Sequence, residues 1–176
     1  RVDQIYADGS VRPLYDFDNA DAETFEAQPC TELPPPVETD AVEIKLTTPL
    51  RIQHDGHPVR PENLTAKDFL TALVRRQKNM AKHHISDFPP VDFDRLRPAI
   101  NGAEITDAAL RWFDWARYSS RQKTRIALGG VVGTFTLRGD LTPLTPYLIA
   151  GRDFHVGKSA VLGMGKYEIT RIFGRG

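Results

Sequence analysis

From Ala41 the chain alternates with a period of two: Val42, Ile44 and Leu46 are apolar, while Glu43, Lys45 and Thr47 are polar. This predicts a half-buried strand, ended by Pro49. A loop with His54, Gly56 and His57 follows, and then Thr65-x-x-Asp68 marks a helix start resembling a capping box. The helix is expected over about residues 64 to 84. Leu70, Leu73, Val74 and Gln77 share one face of it, with Lys67, Arg75, Arg76, Lys78 and Lys82 largely elsewhere. Residues 85 to 107 contain Pro89, Pro90, Pro98 and Asn101-Gly102, so a long loop with a tight turn near its end is expected. From Ala109 to Ser119, alternation puts Arg111, Phe113, Trp115 and Arg117 on one face and Leu110, Trp112, Ala116 and Tyr118 on the other. Aromatic residues on both faces predict a central strand covered on both sides. A basic turn from Ser119 to Arg125 leads to another strand, Gly130 to Arg138, closed by Gly139-Asp140. Thr142-Pro143 opens a short helix in which Leu144, Tyr147 and Leu148 share a face, with Gly151 at its C-terminal end. The last strand runs from Lys166 to Phe173.

The order strand, helix, strand, strand, helix, strand predicts an α+β, ferredoxin-like (RRM-like) βαββαβ fold. Its sheet is antiparallel and four-stranded, with two helices on one face. Many unrelated activities use this arrangement, so order alone assigns none.

The 176 residues are 40% hydrophobic, enough for one core and an appendage. Residues 16 to 40 are acidic and then proline-rich, the composition of a linker or extended arm. The chain opens on Arg1 in what reads as mid-strand (Val2, Ile5, Val11, Leu14), so a fragment of a longer protein is expected. On this reading residues 1–40 are an acidic, Pro-rich arm, the tail of an N-terminal domain the fragment lacks, and residues 41–176 form the ferredoxin-like domain. The single cysteine, Cys30, excludes an intramolecular disulfide framework and a cysteine-based zinc site. No apolar run approaches the ~20 residues needed to span a bilayer, and no signal peptide opens the chain. A soluble, cytoplasmic protein is expected.

Charge changes the picture. The whole chain is formally neutral, yet residues 1 to 40 hold ten Asp or Glu against Arg1 and Arg12, and the remainder holds 21 basic and 13 acidic side chains. Between Asp114 and Asp140 there is no acid, while Arg117, Arg121, Lys123, Arg125 and Arg138 fall there. A second basic stretch contains Arg152, Lys158, Lys166, Arg171 and Arg175. Two such segments can track a sugar-phosphate backbone and release its condensed counterions. The bland alternative is a solvated cationic face.

The second stretch coincides with a glycine-rich loop, Gly151-Arg-Asp-Phe-His155-Val-Gly157-Lys158-Ser-Ala-Val-Leu-Gly163-Met-Gly165-Lys166. Glycine lets backbone amides approach an anion closely, and lysine supplies charge. Gly157-Lys158-Ser159 is not a nucleotide-binding P-loop, because Arg152 holds the place of its first glycine and the strand–loop–helix order is reversed. The stretch Gly129-Gly-Val-Val-Gly-Thr-Phe135 lacks the aromatic spacing of an RNA-recognition motif, so base stacking on the open sheet is not the expected mode.

Arg117-Tyr-Ser-Ser-Arg121-Gln122, then Leu128-Gly-Gly-Val-Val-Gly133, then His155-Val-Gly157-Lys158 with Gly163-Met-Gly165-Lys-Tyr167, together resemble the C-terminal domain of the CRISPR repeat-RNA-processing endoribonucleases of the RAMP superfamily. The resemblance covers roughly residues 41 to 173. It implies two tandem ferredoxin-like domains that bind repeat RNA and cleave it without metal or cofactor. The 2′-hydroxyl attacks the adjacent phosphate and leaves a 2′,3′-cyclic end. It also implies that Gly157 to Gly165 contact RNA and support the domain interface, and that the catalytic histidine belongs to the N-terminal domain. The expected partners are CRISPR repeat RNA and other CRISPR effector subunits. The alternative is a non-catalytic RAMP subunit that scaffolds guide RNA in a ribonucleoprotein complex. A third class is a protein-interaction module whose two charged parts pair with each other.

The expected RNA contacts are Arg117, Arg121, Lys123, Arg125, Lys158 and Lys166, with Gly157, Gly163 and Gly165 where side chains would obstruct the backbone. His155, three residues before Lys158, is the internal candidate for proton transfer. The competing reading is a histidine packing the end of the helix. His83-His84 suits the helix dipole, and His54 and His57 suit an exposed turn, since no third metal ligand is identifiable. Trp112 and Trp115 are expected in the core.

Overall fold

The computed structural model describes residues 2–5, 11–15, 33–84, 90–119 and 123–174. The chain divides into two compact units, Arg1–Cys30 and Thr31–Gly176. In the first, β1 (Val2–Ile5) pairs antiparallel with β2 (Val11–Tyr15). The acidic residues 16 to 32 lie outside the described residues.

The second unit opens with β3 (Ala41–Leu50), a small hairpin of β4 (Gln53–His54) and β5 (His57–Pro58), and α1 (Ala66–His84). It continues with α2 (Phe93–Gly102), β6 (Glu104–Phe113), a hairpin of β7 (Ala116–Ser119) and β8 (Thr124–Ala127), and β9 (Gly130–Arg138). α3 (Thr145–Phe154) and β10 (Tyr167–Phe173) close it. The main sheet has the order β10-β3-β9-β6, with every neighbouring pair antiparallel. Counted among these four strands alone, the order is fourth, first, third, second, which is the ferredoxin-like arrangement.

The alternation read in β3 is the alternation of burial. Val42, Ile44 and Leu46 face the helices and are buried, as are Val131, Phe135 and Leu137 of β9. α1 covers them with Phe69, Leu70, Leu73, Val74 and Gln77, all buried. Each such aliphatic or aromatic side chain contributes roughly 1.5–3 kcal/mol by leaving water. Phe69 meets Phe135 and Tyr167 edge-on, at centroid distances of 5.3 and 5.4 Å. The start of α1 is the reciprocal cap that Thr65-x-x-Asp68 predicts: Thr65 N–H donates to Asp68 Oδ2 (3.1 Å), and Asp68 N–H donates to Thr65 Oγ1 (3.2 Å).

Four expectations are corrected. Within the expected loop 85–107, residues 93–102 form α2 despite Pro98 and Asn101-Gly102. Asp92 caps the helix by accepting from Arg95 N–H, and Leu96 and Ile100, four apart, are buried, which outweighs the hydrogen bond Pro98 cannot donate. The expected central strand over residues 109–119 is instead β6, which starts at Glu104, ends at Phe113 and lies at the sheet edge. The basic turn after it belongs to the separate β7–β8 hairpin. Gly151 does not end α3, which runs on to Phe154. It is buried inside the helix, where a Cβ would sit 2.6 Å from the Tyr167 hydroxyl.

Candidate nucleic-acid interface

β10 runs antiparallel to β3, so the loop entering β10 must meet the segment leaving β3. α3 ends at Phe154, and His155 follows with φ 60°. The chain then folds back on itself: Val156 N–H donates to Gly165 C=O (2.9 Å), Gly165 N–H to Pro49 C=O (3.0 Å) and Lys158 N–H to Arg51 C=O (2.8 Å). Two glycines make this closure possible. A Cβ on Gly157 (φ +85°) would lie 2.5 Å from the Arg51 carbonyl oxygen, and one on Gly165 (φ +73°) would overlap the Val156 carbonyl. Gly163 also has positive φ (+81°), but it faces open space.

Gly157 and Lys158 thereby line a cleft of about 330 Å³ with Arg51, Gln53, Arg75, Arg76 and Asn79. Four of these described lining residues are cationic, and none is a carboxylate. The side chains are held in place. Lys158 Nζ donates to Gln53 Oε1, Arg51 Nη1 to Gly129 C=O (3.2 Å) and Arg76 Nε to Phe154 C=O (3.2 Å). Arg75 and Lys158 are exposed at the rim. Like charges so placed repel one another, and an anion entering the cleft relieves that repulsion. A lysine ammonium has three donors, so the bond to Gln53 leaves capacity for a phosphate oxygen.

The structure brings together only part of the expected set. Gly157 and Lys158 are in the cleft. Gly165 is locked under the loop, and Lys166 lies beyond it, its N–H donating to Thr48 Oγ1 (2.8 Å). Arg117 and Arg125 belong to the β7–β8 hairpin and exposed Lys123 to its turn, at φ 49°. Arg121 lies outside the described residues, as do the side chains of Arg117 and Arg125. Arg51, Arg75, Arg76 and Asn79 complete the cleft and were not expected there. The signal that could have found them is topological, because the helix after the first strand and the loop before the last strand share one end of the sheet.

His155 does not line the cleft. Its Nδ1 donates to the Met164 carbonyl (3.1 Å), tying the end of α3 to the far side of the loop. His54 Nε2 pairs with Asp68 Oδ1 at 2.8 Å on an exposed turn, and His83 is exposed in the last turn of α1. Among the described residues, no group of three or more His, Cys, Asp or Glu could hold a metal ion. No helix among them is long and apolar enough to cross a membrane. Burial pushes the Tyr167 hydroxyl pKa far up, and the phenol donates to Leu148 C=O (2.5 Å) beneath the loop.

The expectation for the tryptophans is half right. Trp112 packs against the core, with Arg60 stacked on its ring at 4.0 Å and its indole N–H bonded to Asp114 (2.7 Å). Trp115 is not in the core; it is 41% exposed, because β6 ends before reaching it.

The family model described as CRISPR-associated endoribonuclease Cas6 matches residues 44–167. Among solved structures, the chain is similar to Thermus thermophilus Cas6 (TM-score 0.54, 16% identity, 75% of this chain and 54% of that one). It is also similar to a Cas6 product complex (0.52, 14%, 76% and 52%) and to a partial Cas6-RT-Cas1–Cas2 complex (0.55, 21%, 82% and 24%). At these identities the structural likeness establishes the fold. The chain spans about half the length of the first two. No protein of curated function matches it in sequence. With the family model covering well over half of its residues, the chain belongs to the CRISPR-associated endoribonuclease Cas6 family.

Proposed function

We propose that this chain is the RNA-binding C-terminal portion of a metal-independent endoribonuclease that cleaves CRISPR precursor RNA within its repeats. The observation that carries the reading is the cleft beside the glycine-rich loop, where Arg51, Arg75, Arg76 and Lys158 converge with no acid among the described lining residues. A ribose-phosphate strand fits that charge, and the loop's closure on Arg51 fixes Lys158 over it. The β7–β8 hairpin, carrying Arg117, Lys123 and Arg125, is a second basic element in the same proposal, to which Arg121 is assigned from the sequence.

In this reading the catalytic histidine and the rest of the active site belong to an N-terminal domain, of which residues 1–40 are the tail. The compact unit Arg1–Cys30 supports that assignment for residues 1–30, while Val37 and Thr39 bond to Thr145 and Thr142 of the sheet domain. Strand scission proceeds by attack of a 2′-hydroxyl on the adjacent phosphate, giving a 2′,3′-cyclic end. In the same reading His155, its Nδ1 anchored on the Met164 carbonyl, positions the loop.

Binding of repeat RNA by this chain tests the reading. The Arg75→Ala/Lys158→Ala variant is expected to bind about tenfold or more weakly at 0.15 M salt. Equal affinity overturns the assignment of the cleft. Incubating the intact parent with repeat RNA in EDTA tests the catalytic half of the proposal, which requires a discrete cyclic-phosphate product.

A further inference from the structure

The far end of the glycine-rich loop carries a second depression of different character. Phe113, Trp115 and Leu162, each 41% exposed, converge there with Thr48, Pro49, Gly163 and Met164 around about 300 Å³. Large apolar side chains exposed singly are ordinary, but three lining one slot are not.

The slot is held in shape from behind. Trp115 C=O accepts the N–H of buried Leu128 (2.7 Å), Pro49 C=O accepts Gly165 N–H (3.0 Å), and Met164 is itself buried. It is also continuous with charge. A neighbouring depression shares Pro49 and Phe113 and adds Arg111, whose guanidinium lies 5.9 Å from the Phe113 ring. On the other side, Pro49 of the slot and Arg51 of the cationic cleft are two residues apart, about 7 Å in extended chain. Two aromatic rings and a thioether, with Arg111 in the adjoining depression, suit a flat π-system that is tethered to phosphate. A protein surface would instead need a contact of about 1,000 Å² or more, to which this slot contributes little.

We propose that the slot formed by Phe113, Trp115, Leu162 and Met164 is a subsite for one unpaired nucleobase of an RNA strand whose backbone lies in the Arg51–Lys158 cleft. The proposal rests on the RNA-binding reading above and adds a stacking contact that the charge of the chain does not imply. Because stacking accepts any base face, the subsite tolerates sequence while requiring a single strand.

The test uses this chain with two unstructured ten-nucleotide probes, oligoadenylate and an abasic oligomer of the same backbone, read by tryptophan fluorescence. Oligoadenylate is expected to quench Trp115 and to bind about five- to a hundredfold more tightly than the abasic probe. Trp115→Leu, which leaves Trp112 as the sole tryptophan, is expected to lose most of the quenching and to bind both probes alike, with the salt dependence kept. Leu162→Ser, at an exposed loop position, serves as a second variant should Trp115→Leu fold poorly, and is expected to weaken oligoadenylate selectively. Equal affinity of the wild type for the two probes, with salt dependence, sinks the subsite and leaves the cationic cleft standing. Binding of neither probe overturns both proposals. Affinity unchanged in both variants assigns the slot to another occupant, such as a protein domain.

Discussion

Val156 N–H donates to the carbonyl of Gly165 at 2.9 Å, while the α-carbon of Gly165 faces the carbonyl of Val156 so closely that any side chain there would overlap it. This mutual approach closes the glycine-rich loop. Gly165→Ala must therefore open it, whereas Gly163→Ala meets only the strain of φ +81°. We expect Gly163→Ala to lower stability by roughly 1 kcal/mol and Gly165→Ala by roughly 3 kcal/mol or more. Denaturant unfolding of the two variants checks the order, and equal losses would contradict it.

Tyr167 yields a pH dependence. Burial raises its pKa above the ordinary tyrosine value, so the folded protein keeps the phenol neutral at pH values where the unfolded chain ionises it. Its contribution is fully present below about pH 10, the unfolded value, and is lost as pH rises beyond it. Unfolding free energy should fall by up to about 1.4 kcal/mol per pH unit there. Tyr167→Phe should remove that component of the slope, at a loss of about 1 kcal/mol near neutrality for the bond to Leu148. An unchanged alkaline slope in the variant would refute the assignment.

Asp68 serves the cap of α1 and also holds His54, at 2.8 Å. Asp68→Ala should destabilise the domain by about 1 kcal/mol, the typical worth of a cap. Thermal melts and the chemical shifts of His54 read the two consequences separately. An unaltered melting temperature would show that the cap is dispensable.

Local patterns made much of this legible in the sequence. β3 and α1 announce themselves through unbroken alternation and a two-residue cap, and β9 through its apolar run between glycines. α2 was hidden because Pro98 and Asn101-Gly102 carry the signals of a turn, whereas the burial of Leu96 and Ile100 decides the outcome. The cationic cleft was only half visible. Lys158 stands in a glycine-rich loop that draws the eye, but Arg75 and Arg76 read as the solvated face of a helix, more than 80 residues away. Trp115 was misjudged for a similar reason: alternation assigns a side chain to a face but cannot say where the strand stops.

The central claim is that the side chains around Lys158 hold phosphates, and the most direct measurement is the salt dependence of repeat-RNA affinity for the wild type and for Arg75→Ala/Lys158→Ala. Two lost contacts to a single strand should make the slope of log K against log salt shallower by about 1.4. Identical slopes and affinities in the two proteins would contradict the account.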